Sequence, residues 1–158
     1  MKRGNFSIGF LGIAAAIWFL LLAIAGNSQS ADFSVFDKQQ GLNGTFINDL
    51  KIDTLGRLLV ASDRGLSIFN GREFTSLDTR HGLAEDVVSS IFASDAGHIY
   101  LGHLSGAVSC LKGEDVEVIS TPETPQRIES FVALGSNGLL AVGQRGAIAL
   151  INDDSATY

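Results

Sequence analysis

A motif that recurs along the chain is the feature that most constrains the fold. Residues 55–71 read LGRLLVASDRGLSIFNG, residues 96–113 read AGHIYLGHLSGAVSCLKG, and residues 137–152 hold a weaker third copy. Glycines and apolar residues keep a common step of 41 through the copies, with a single one-residue slip at Gly146. Shared composition alone would not align both kinds of residue, so we infer three copies of one structural unit.

Within each copy, apolar residues alternate with a period of two, which indicates β-strands rather than helices. In the first copy, Phe46, Leu50 and Ile52 fall on one side of the predicted strand. Turns that contain glycine and aspartate separate the strands. The four strands of this copy are expected near 46–53, 57–62, 65–70 and 73–78. A unit of about 40–50 residues with four strands is typical of a β-propeller blade, so the predicted fold is all-β, with blades of four antiparallel strands.

Residues 33–158 form the predicted partial β-propeller. Its three blade repeats are bounded at about 37–78, 79–120 and 121–158. The third repeat lacks an outer strand, whereas residues 32–36 form an additional strand of the kind that completes the last blade in a closed propeller. Propellers need about four to eight blades to close, so the predicted ring is incomplete. We favour a fragment of a longer protein, and assembly with further copies of the chain stays open.

The N-terminus predicts export from the cytoplasm. A basic start precedes an apolar run over residues 8–25, whose end offers the small residues that signal peptidase accepts. We interpret residues 1–25 as a signal peptide, and an uncleaved apolar helix that anchors the chain in the membrane through residues 8–25 is the alternative. Residues 26–32 are a linker. Both interpretations place the rest of the chain in an extracytoplasmic, periplasmic location.

Charge and cysteine content exclude several classes of function. The 158 residues carry 11 basic and 17 acidic side chains, a formal net charge of −6, and the basic residues are scattered. Because a phosphate-binding surface needs clustered lysine and arginine, we expect no nucleic-acid partner. Cys110 is the single cysteine of the sequence, which excludes an intrachain disulfide and a CxxC site. We expect it to be buried in an apolar strand.

No group of residues in the sequence predicts catalysis or metal binding. His81, His98 and His103 are expected at the surface or in turns, because a zinc site needs three or four converging ligands. Asp53 is expected to stabilise a turn. Adjacent carboxylates are expected to be solvated loop charges that point apart. These pairs are Glu85–Asp86, Glu114–Asp115 and Asp153–Asp154. We therefore predict no enzyme activity, no catalytic residues, no metal and no cofactor.

The polar links between the copies are the surface that the sequence favours for recognition. Residues 37–43 and 78–86 each lead from an outer strand to the inner strand of the next copy. In propellers such links fall at one mouth of the central channel, where ligands usually bind. The alternative is that they are ordinary connecting loops, and the sequence does not determine which residues bind a ligand.

The first two copies resemble the bacterial two-component regulator propeller repeat. The stretches that carry the resemblance are GLNGTFINDLKIDTLGRLLVASDRGLSIFNG and GLAEDVVSSIFASDAGHIYLGHLSGAVSCLKG. Their shared features are a Gly-Leu start, an apolar strand that ends near Asp, a glycine and a later hairpin. Leu59, Tyr100 and Ala141 stand where the family has tryptophan. The resemblance covers residues 41–113 well and residues 128–151 loosely.

This resemblance implies an extracytoplasmic sensor region that has no catalytic residues of its own. Such repeats precede a membrane helix and a cytoplasmic histidine kinase, cyclase or DNA-binding output domain. The implied partners are an extracytoplasmic ligand or protein, together with further propeller blades and a signalling output domain in a longer chain. Two alternatives stay open. One is a secreted structural or protein-binding propeller without an output domain, and the other is part of a propeller enzyme whose catalytic residues lie elsewhere.

Overall fold

A computed structural model describes residues 34–119, 126–134, 138–146 and 148–151, which form an all-β structure. Helical turns in this part of the chain are limited to three 3-10 helices, and none of its helices is long and apolar enough to cross a membrane. The predicted signal peptide or anchor and the linker at residues 26–32 lie outside the described residues. The chain divides after Val35, and all three sheets belong to the unit that begins at Phe36.

The strands form three antiparallel sheets in which sequential strands are neighbours. The first sheet consists of β1 (Ile47–Ile52), β2 (Leu58–Ser62), β3 (Gly65–Phe69) and β4 (Phe74–Leu77). The second sheet consists of β5 (Val88–Ala93), β6 (Ile99–His103), β7 (Val108–Lys112) and β8 (Asp115–Ile119). The third sheet consists of β9 (Ile128–Ala133), β10 (Leu139–Gly143) and β11 (Ile148–Ile151). Single-turn 3-10 helices lie at Lys38–Gln40, Thr79–His81 and Gln144–Gly146.

The four strands predicted for the first copy are confirmed to within one residue at each end. The strand predicted at residues 32–36 is wrong for its described part, because Ser34, Val35 and Phe36 belong to no sheet. A strand needs a partner for its backbone groups, and no described strand pairs with this segment. Phe36 instead packs its ring on Phe69, with the ring centroids 4.9 Å apart.

Strand pairing shifts the third copy by one residue from the alignment inferred from the sequence. Leu58 pairs with Ile52, Ile99 with Ala93, and Leu139 with Ala133. Leu139 rather than Leu140 is therefore the counterpart of Ile99, and the step from the second copy to the third is 40. It follows that Leu140, rather than Ala141, is the counterpart of Leu59 and Tyr100.

The hairpin between the second and third strands also differs in length between copies. Gly65 pairs with Ser62 at the start of β3. In the second sheet the N–H of His103 donates to the carbonyl of Ala107, and Gly106 lies in the turn before it. Gly106 therefore does not occupy the strand position of Gly65, although the two glycines are 41 residues apart.

Two apolar cores hold the three sheets together. The first core lies between the first and second sheets, where Leu59 and Leu66 pack with Ile91 and Leu101. The second core lies between the second and third sheets and contains Cys110, whose predicted burial is confirmed. Its other fully buried or nearly buried members are Tyr100, Val108, Ile128, Leu139, Ala141 and Ile151. The second sheet contributes to both cores and is thus covered on both faces.

Polar contacts join the inner strands of neighbouring sheets. Asn48 Nδ2 donates to the carbonyl oxygen of Val88 at 2.7 Å, which links β1 to β5. Ser89 Oγ donates to the carbonyl oxygen of Ile128 at 2.6 Å, which links β5 to β9. In both cases the acceptor is the first residue of the following inner strand, so the contact fixes the register between the sheets.

Candidate functional site at the linker end of the sheets

The polar links at residues 37–43 and 78–86, which the sequence favours for recognition, have the same local structure. We call them the first and second linkers. Asp37 and Asp78 each precede a 3-10 helix and cap it, with backbone angles that agree within a few degrees (φ −135°, ψ −165° and φ −140°, ψ −166°). Gly41 and Gly82 end the helices in the left-handed conformation, at φ 95° and 101°. Non-glycine residues rarely adopt this conformation, so each linker is fixed at both ends.

In the second linker, Asp78 gathers two basic side chains. Its carboxylate lies 2.6 Å from Arg80 Nη2 and 2.8 Å from His81 Nδ1. The hydrogen bond from the Arg80 side chain holds the pKa of Asp78 well below its usual range, with the backbone N–H of Arg80 and the His81 ring adding to the effect. Asp78 is thus ionised at neutral pH. Arg80 and His81 are exposed, as the sequence predicts for His81.

The neighbouring carboxylates Glu85 and Asp86 point to different partners. Asp86 Oδ1 accepts hydrogen bonds from the backbone N–H and the hydroxyl of Thr79, and the hydroxyl bond lowers the pKa of Asp86. Glu85 Oε1 accepts from the N–H of Ser105 at 3.2 Å. The two carboxylates therefore engage different groups, and the absence of an acid/base dyad stays a prediction from the sequence.

For the two remaining carboxylate pairs, the structure tests the predicted loop position of one pair only. The prediction of a loop position is wrong for Asp115, which begins β8 because its backbone pairs with Lys112 across a tight hairpin. Glu114 lies in the turn before it. The pair at residues 153–154 lies outside the described residues.

The β2–β3 hairpin reaches the first linker through Asp63 and Asn43. Asp63 Oδ1 accepts from the N–H groups of Thr45 and Phe46 at 2.7 and 3.1 Å, and these bonds lower the pKa of Asp63. Asn43 Nδ2 donates to the carbonyl oxygen of Arg64 at 3.0 Å. The polar side chains of this linker are therefore used largely to hold the backbone in place.

His103 is buried, which corrects its predicted surface or turn position. Its Nδ1 lies 3.0 Å from the carbonyl oxygen of Val87, so Nδ1 carries the donated proton. Its Nε2 lies 2.8 Å from Ser109 Oγ, which itself accepts from the N–H of Ala84. Ser109 then donates its hydroxyl proton to Nε2. Burial lowers the pKa of His103, although the bond to Val87 and the charge of Glu85 oppose that shift, and the ring is neutral at pH 7.

Sequence reasoning missed this buried network because it treated His103 as an isolated histidine. The residue ends a strand whose preceding members, Leu101 and Gly102, are fully buried. Its pairing partner Val88 is also fully buried. The position at the end of an apolar strand, opposite an apolar partner, was the signal that predicts burial.

Asp53 has the turn-stabilising role predicted from the sequence. Its Oδ1 accepts from the N–H groups of Leu55 and Arg57, and its Oδ2 lies 2.7 Å from Arg57 Nε. Burial alone would raise the pKa of Asp53, but the hydrogen bonds from Arg57 and Leu55 together with the Arg57 charge hold it below its usual value. This turn lies at the end of the sheets opposite the linkers.

Within the described ranges, no three histidine, cysteine or carboxylate side chains converge in a way that could hold a metal ion. His81 and His103 are each engaged by other groups, and His98 lies in the turn before β6. The absence of a metal and of a cofactor, like the absence of enzyme activity, stays a prediction from the sequence.

A cleft of about 340 Å³ lies away from the linker end, between the outer parts of the first and second sheets. Arg57, Asn70 and Glu114 give it polar groups, and Ile68, Leu77 and Leu111 supply its apolar wall. Arg57 is already paired with Asp53. The cleft forms where two twisted sheets diverge, and it does not coincide with the surface that the sequence favours.

Neither a family model nor a curated protein matches this sequence. Among solved structures, the fold is similar to that of the extracellular domain of a hybrid two-component system protein, BT3049, from B. thetaiotaomicron. The match has a TM-score of 0.63 at 15% sequence identity and covers 75% of this chain. It spans 17% of the BT3049 domain. The likeness establishes a shared fold and leaves function to be argued separately.

Proposed function

We propose that this chain contributes blades to a β-propeller in an extracytoplasmic sensor of the bacterial two-component type, and that it binds a ligand or protein without catalysing a reaction. The observation that supports this most is the row of three similar sheets, encoded by a tandem repeat. Their fold matches an extracellular domain of a two-component system protein. The sequence supports the same function through its predicted export signal and its resemblance to the regulator propeller repeat.

The linker end is the surface on which we place binding. Its two described linkers have matching backbone geometry, and their aspartates are occupied in capping. The exposed side chains Lys38 and Arg80 are therefore carried on a fixed frame. A frame that is ordered before binding loses less conformational entropy when a ligand arrives.

Export is tested by fusing β-lactamase to the chain after Tyr158. The fusion is expected to protect bacteria from ampicillin, because the enzyme acts only outside the cytoplasm. Deletion of residues 1–25 should remove that protection while leaving the fusion protein detectable by immunoblot. Resistance that survives the deletion would contradict the proposed location.

Binding is tested by thermal unfolding of the full chain against a panel of monosaccharides, amino acids and dicarboxylates. At least one probe is expected to raise the Tm in a saturable manner. The double substitution Lys38→Ala and Arg80→Ala should abolish the rise. The control Arg72→Ala changes an exposed cation in the β3–β4 turn at the other end and should preserve it. No shift with any probe, or equal loss in the control, would argue against binding at the linker end.

The signalling part of the proposal is tested by the reading frame that contains this chain. We expect it to encode an apolar helix and a histidine kinase, cyclase or DNA-binding domain beyond Tyr158. A secreted protein whose frame contains no such helix or output would instead favour a propeller that only binds.

A further inference from the structure

The cleft between the first and second sheets is the second place in the described chain where polar groups surround a concave surface. Its volume of about 340 Å³ lies at the lower end of the range of about 300–1,000 Å³ that is typical of small-molecule sites. Three turns at the end of the sheets opposite the linkers carry its polar groups, Arg57, Asn70 and Glu114. A cleft of this size suits a ligand as small as an amino acid.

Apolar side chains from both sheets form the wall of the cleft. Ile68 of the first sheet and Leu111 of the second sheet are only 8% and 3% exposed. Leu77 of the first sheet packs against the same core. An apolar group of a ligand that lies on this wall is removed from water, which favours binding without any rearrangement of the core.

Arg57 offers hydrogen-bond donors to the cleft from the first sheet. Its Nε lies 2.7 Å from Asp53 Oδ2, and its backbone N–H donates to Asp53 Oδ1, so one edge of the guanidinium is fixed. Among the described residues, no other group forms a hydrogen bond or an ion pair with this side chain. Nη1 and Nη2 therefore remain for an acceptor, and a carboxylate is the acceptor that arginine binds best.

Asn70 adds a donor on the same side of the cleft. Its Oδ1 accepts from the N–H groups of Arg72 and Glu73 at 2.9 and 3.0 Å, which fixes the amide in the β3–β4 turn. Because both partners are N–H donors, the oxygen of this amide is identified by its contacts. Nδ2 bonds to none of the described residues and is left as a donor.

Glu114 supplies the opposite charge from the second sheet. Its side chain forms no hydrogen bond or ion pair with the described residues, Arg57 included, although both residues line the cleft. Since Arg57 is already paired with Asp53, the carboxylate of Glu114 is the uncompensated charge of the cleft. N–H donors on one side and a carboxylate on the other complement a molecule that carries both a carboxylate and an ammonium group.

The corresponding positions of the second sheet carry a satisfied ion pair instead. Strand pairing makes Lys112 the counterpart of Asn70, and Glu117 the counterpart of Thr75, which also lines the cleft. Lys112 Nζ lies 3.2 Å from Glu117 Oε2, so these two charges compensate each other within one sheet. The unused donors of the cleft are thus not a feature that every copy of the repeat has in common.

We propose that this cleft binds an α-amino acid with an apolar side chain. The carboxylate of the ligand accepts hydrogen bonds from Arg57 Nη and Asn70 Nδ2, and its ammonium group lies against Glu114. The apolar side chain packs on the wall formed by Ile68, Leu77 and Leu111. This site is separate from the linker end, and the inference depends neither on binding at the linkers nor on the signalling role.

Isothermal titration of the full chain with L-leucine tests the proposal. Binding should be saturable, with one molecule per chain. Isoamylamine lacks the carboxylate of leucine and isocaproate lacks its ammonium group, so each should bind about tenfold more weakly than leucine. Absence of saturable binding up to about 10 mM leucine, or an analogue that binds as tightly as leucine, would overturn the proposal.

Variants of the polar groups locate the bound leucine in the cleft. Asn70→Asp keeps the Oδ1 acceptor of the turn but replaces Nδ2 with an oxygen that repels a carboxylate, so affinity should fall about tenfold or more. Glu114→Gln should weaken binding about threefold to fivefold, since Glu114 is exposed. The control Glu73→Gln removes an exposed carboxylate of the β3–β4 turn that does not line the cleft, and it should bind like the wild type. Unchanged affinity in both cleft variants would contradict the assignment.

The linker variant separates this site from the one proposed at the linkers. Lys38→Ala combined with Arg80→Ala should leave the affinity for leucine unchanged, whereas a probe bound at the linker end loses its effect in that chain. Leucine binding that is lost in the linker variant but kept in the cleft variants would overturn the cleft site and support binding at the linker end. Failure of leucine to bind would leave the tests of export and of the linker end unaffected.

Discussion

The inner strands of the first two sheets, β1 and β5, occupy the same place in the repeat but different surroundings. Leu50 of β1 is 54% exposed, whereas its counterpart Ile91 of β5 is 3% exposed. The sheets themselves have the same strand order and almost the same pairing. The difference comes from the neighbours, because the face of the second sheet that carries Ile91 packs on the first sheet. In a tandem repeat, burial is thus a property of the array rather than of the single copy.

Truncating each of these two side chains to alanine tests the comparison and has the largest expected effect on stability. Ile91→Ala should lower the free energy of unfolding by about 2–5 kcal/mol, because it opens a cavity in the first core. Leu50→Ala should change it by less than about 0.5 kcal/mol, because the Leu50 side chain is 54% exposed. Urea unfolding monitored by circular dichroism measures both. Equal losses would mean that the face of the first sheet that carries Leu50 is covered as well.

A substitution at Gly102 tests how closely the third sheet packs on the second. A Cβ atom at this position would lie 2.5 Å from Ser90 Oγ and 2.6 Å from Ile128 Cβ. Gly102→Ala should therefore cost about 1–3 kcal/mol through overpacking, although Ala61 occupies the corresponding position in the first sheet. Urea unfolding gives the value. A neutral or stabilising result would show that β9 does not approach β6 this closely.

The pH dependence of stability should distinguish the second sheet from the first through His103, which corresponds to Ser62. Because burial lowers the pKa of His103 in the folded chain, the unfolded chain binds the proton more readily. The stabilisation by neutral His103 is complete above about pH 6.5 and is lost as pH falls toward the lower folded pKa. One proton gives a slope of at most about 1.4 kcal/mol per pH unit.

Unfolding curves collected between pH 5 and 8 measure this slope. His103→Ser introduces the residue of the first sheet and should flatten the curve over that window, even though the truncation lowers stability overall. A variant that keeps the wild-type slope would show that His103 is not the source of the pH dependence.

The smallest expected effect compares the two linker caps. Asp78→Ala should raise hydrogen exchange in its linker more than Asp37→Ala does, because Asp78 also binds the side chains of Arg80 and His81. Both variants should keep the sheets intact, since the side chains of both aspartates bond only within their own linkers. Exchange measured by mass spectrometry on linker peptides gives the comparison. The reverse order would mean that the exposed ion pair adds nothing to the cap.

Much of the sheet structure followed from the sequence, because period-two alternation and turn residues are local signals. The burial of Cys110 and the role of Asp53 were predicted for the same reason. The sequence alignment placed the third copy one residue away from the position that strand pairing gives. Its motif is weak, so the sequence alone defines its spacing poorly. Ser34–Phe36 have the sequence of an outer strand but need a partner sheet to become one.

The candidate site was less predictable than the sheets. The linkers could be located from their polarity, but their identical capped conformations depend on hydrogen bonds that alignment alone does not show. His103 was misplaced because its burial depends on Val87, Ser109 and Ala84, which lie on other elements. Contacts of that kind arise only when the sheets and linkers are assembled.

Hydroxyl-radical footprinting of the dilute full chain tests most directly whether each copy buries its apolar side only against a neighbour. Ile47 and Leu50 should be oxidised rapidly, while Val88 and Ile91 at the matched positions of the second sheet should be protected. Comparable oxidation of the two sets would contradict the account, since it would show that these side chains do not differ in their neighbours.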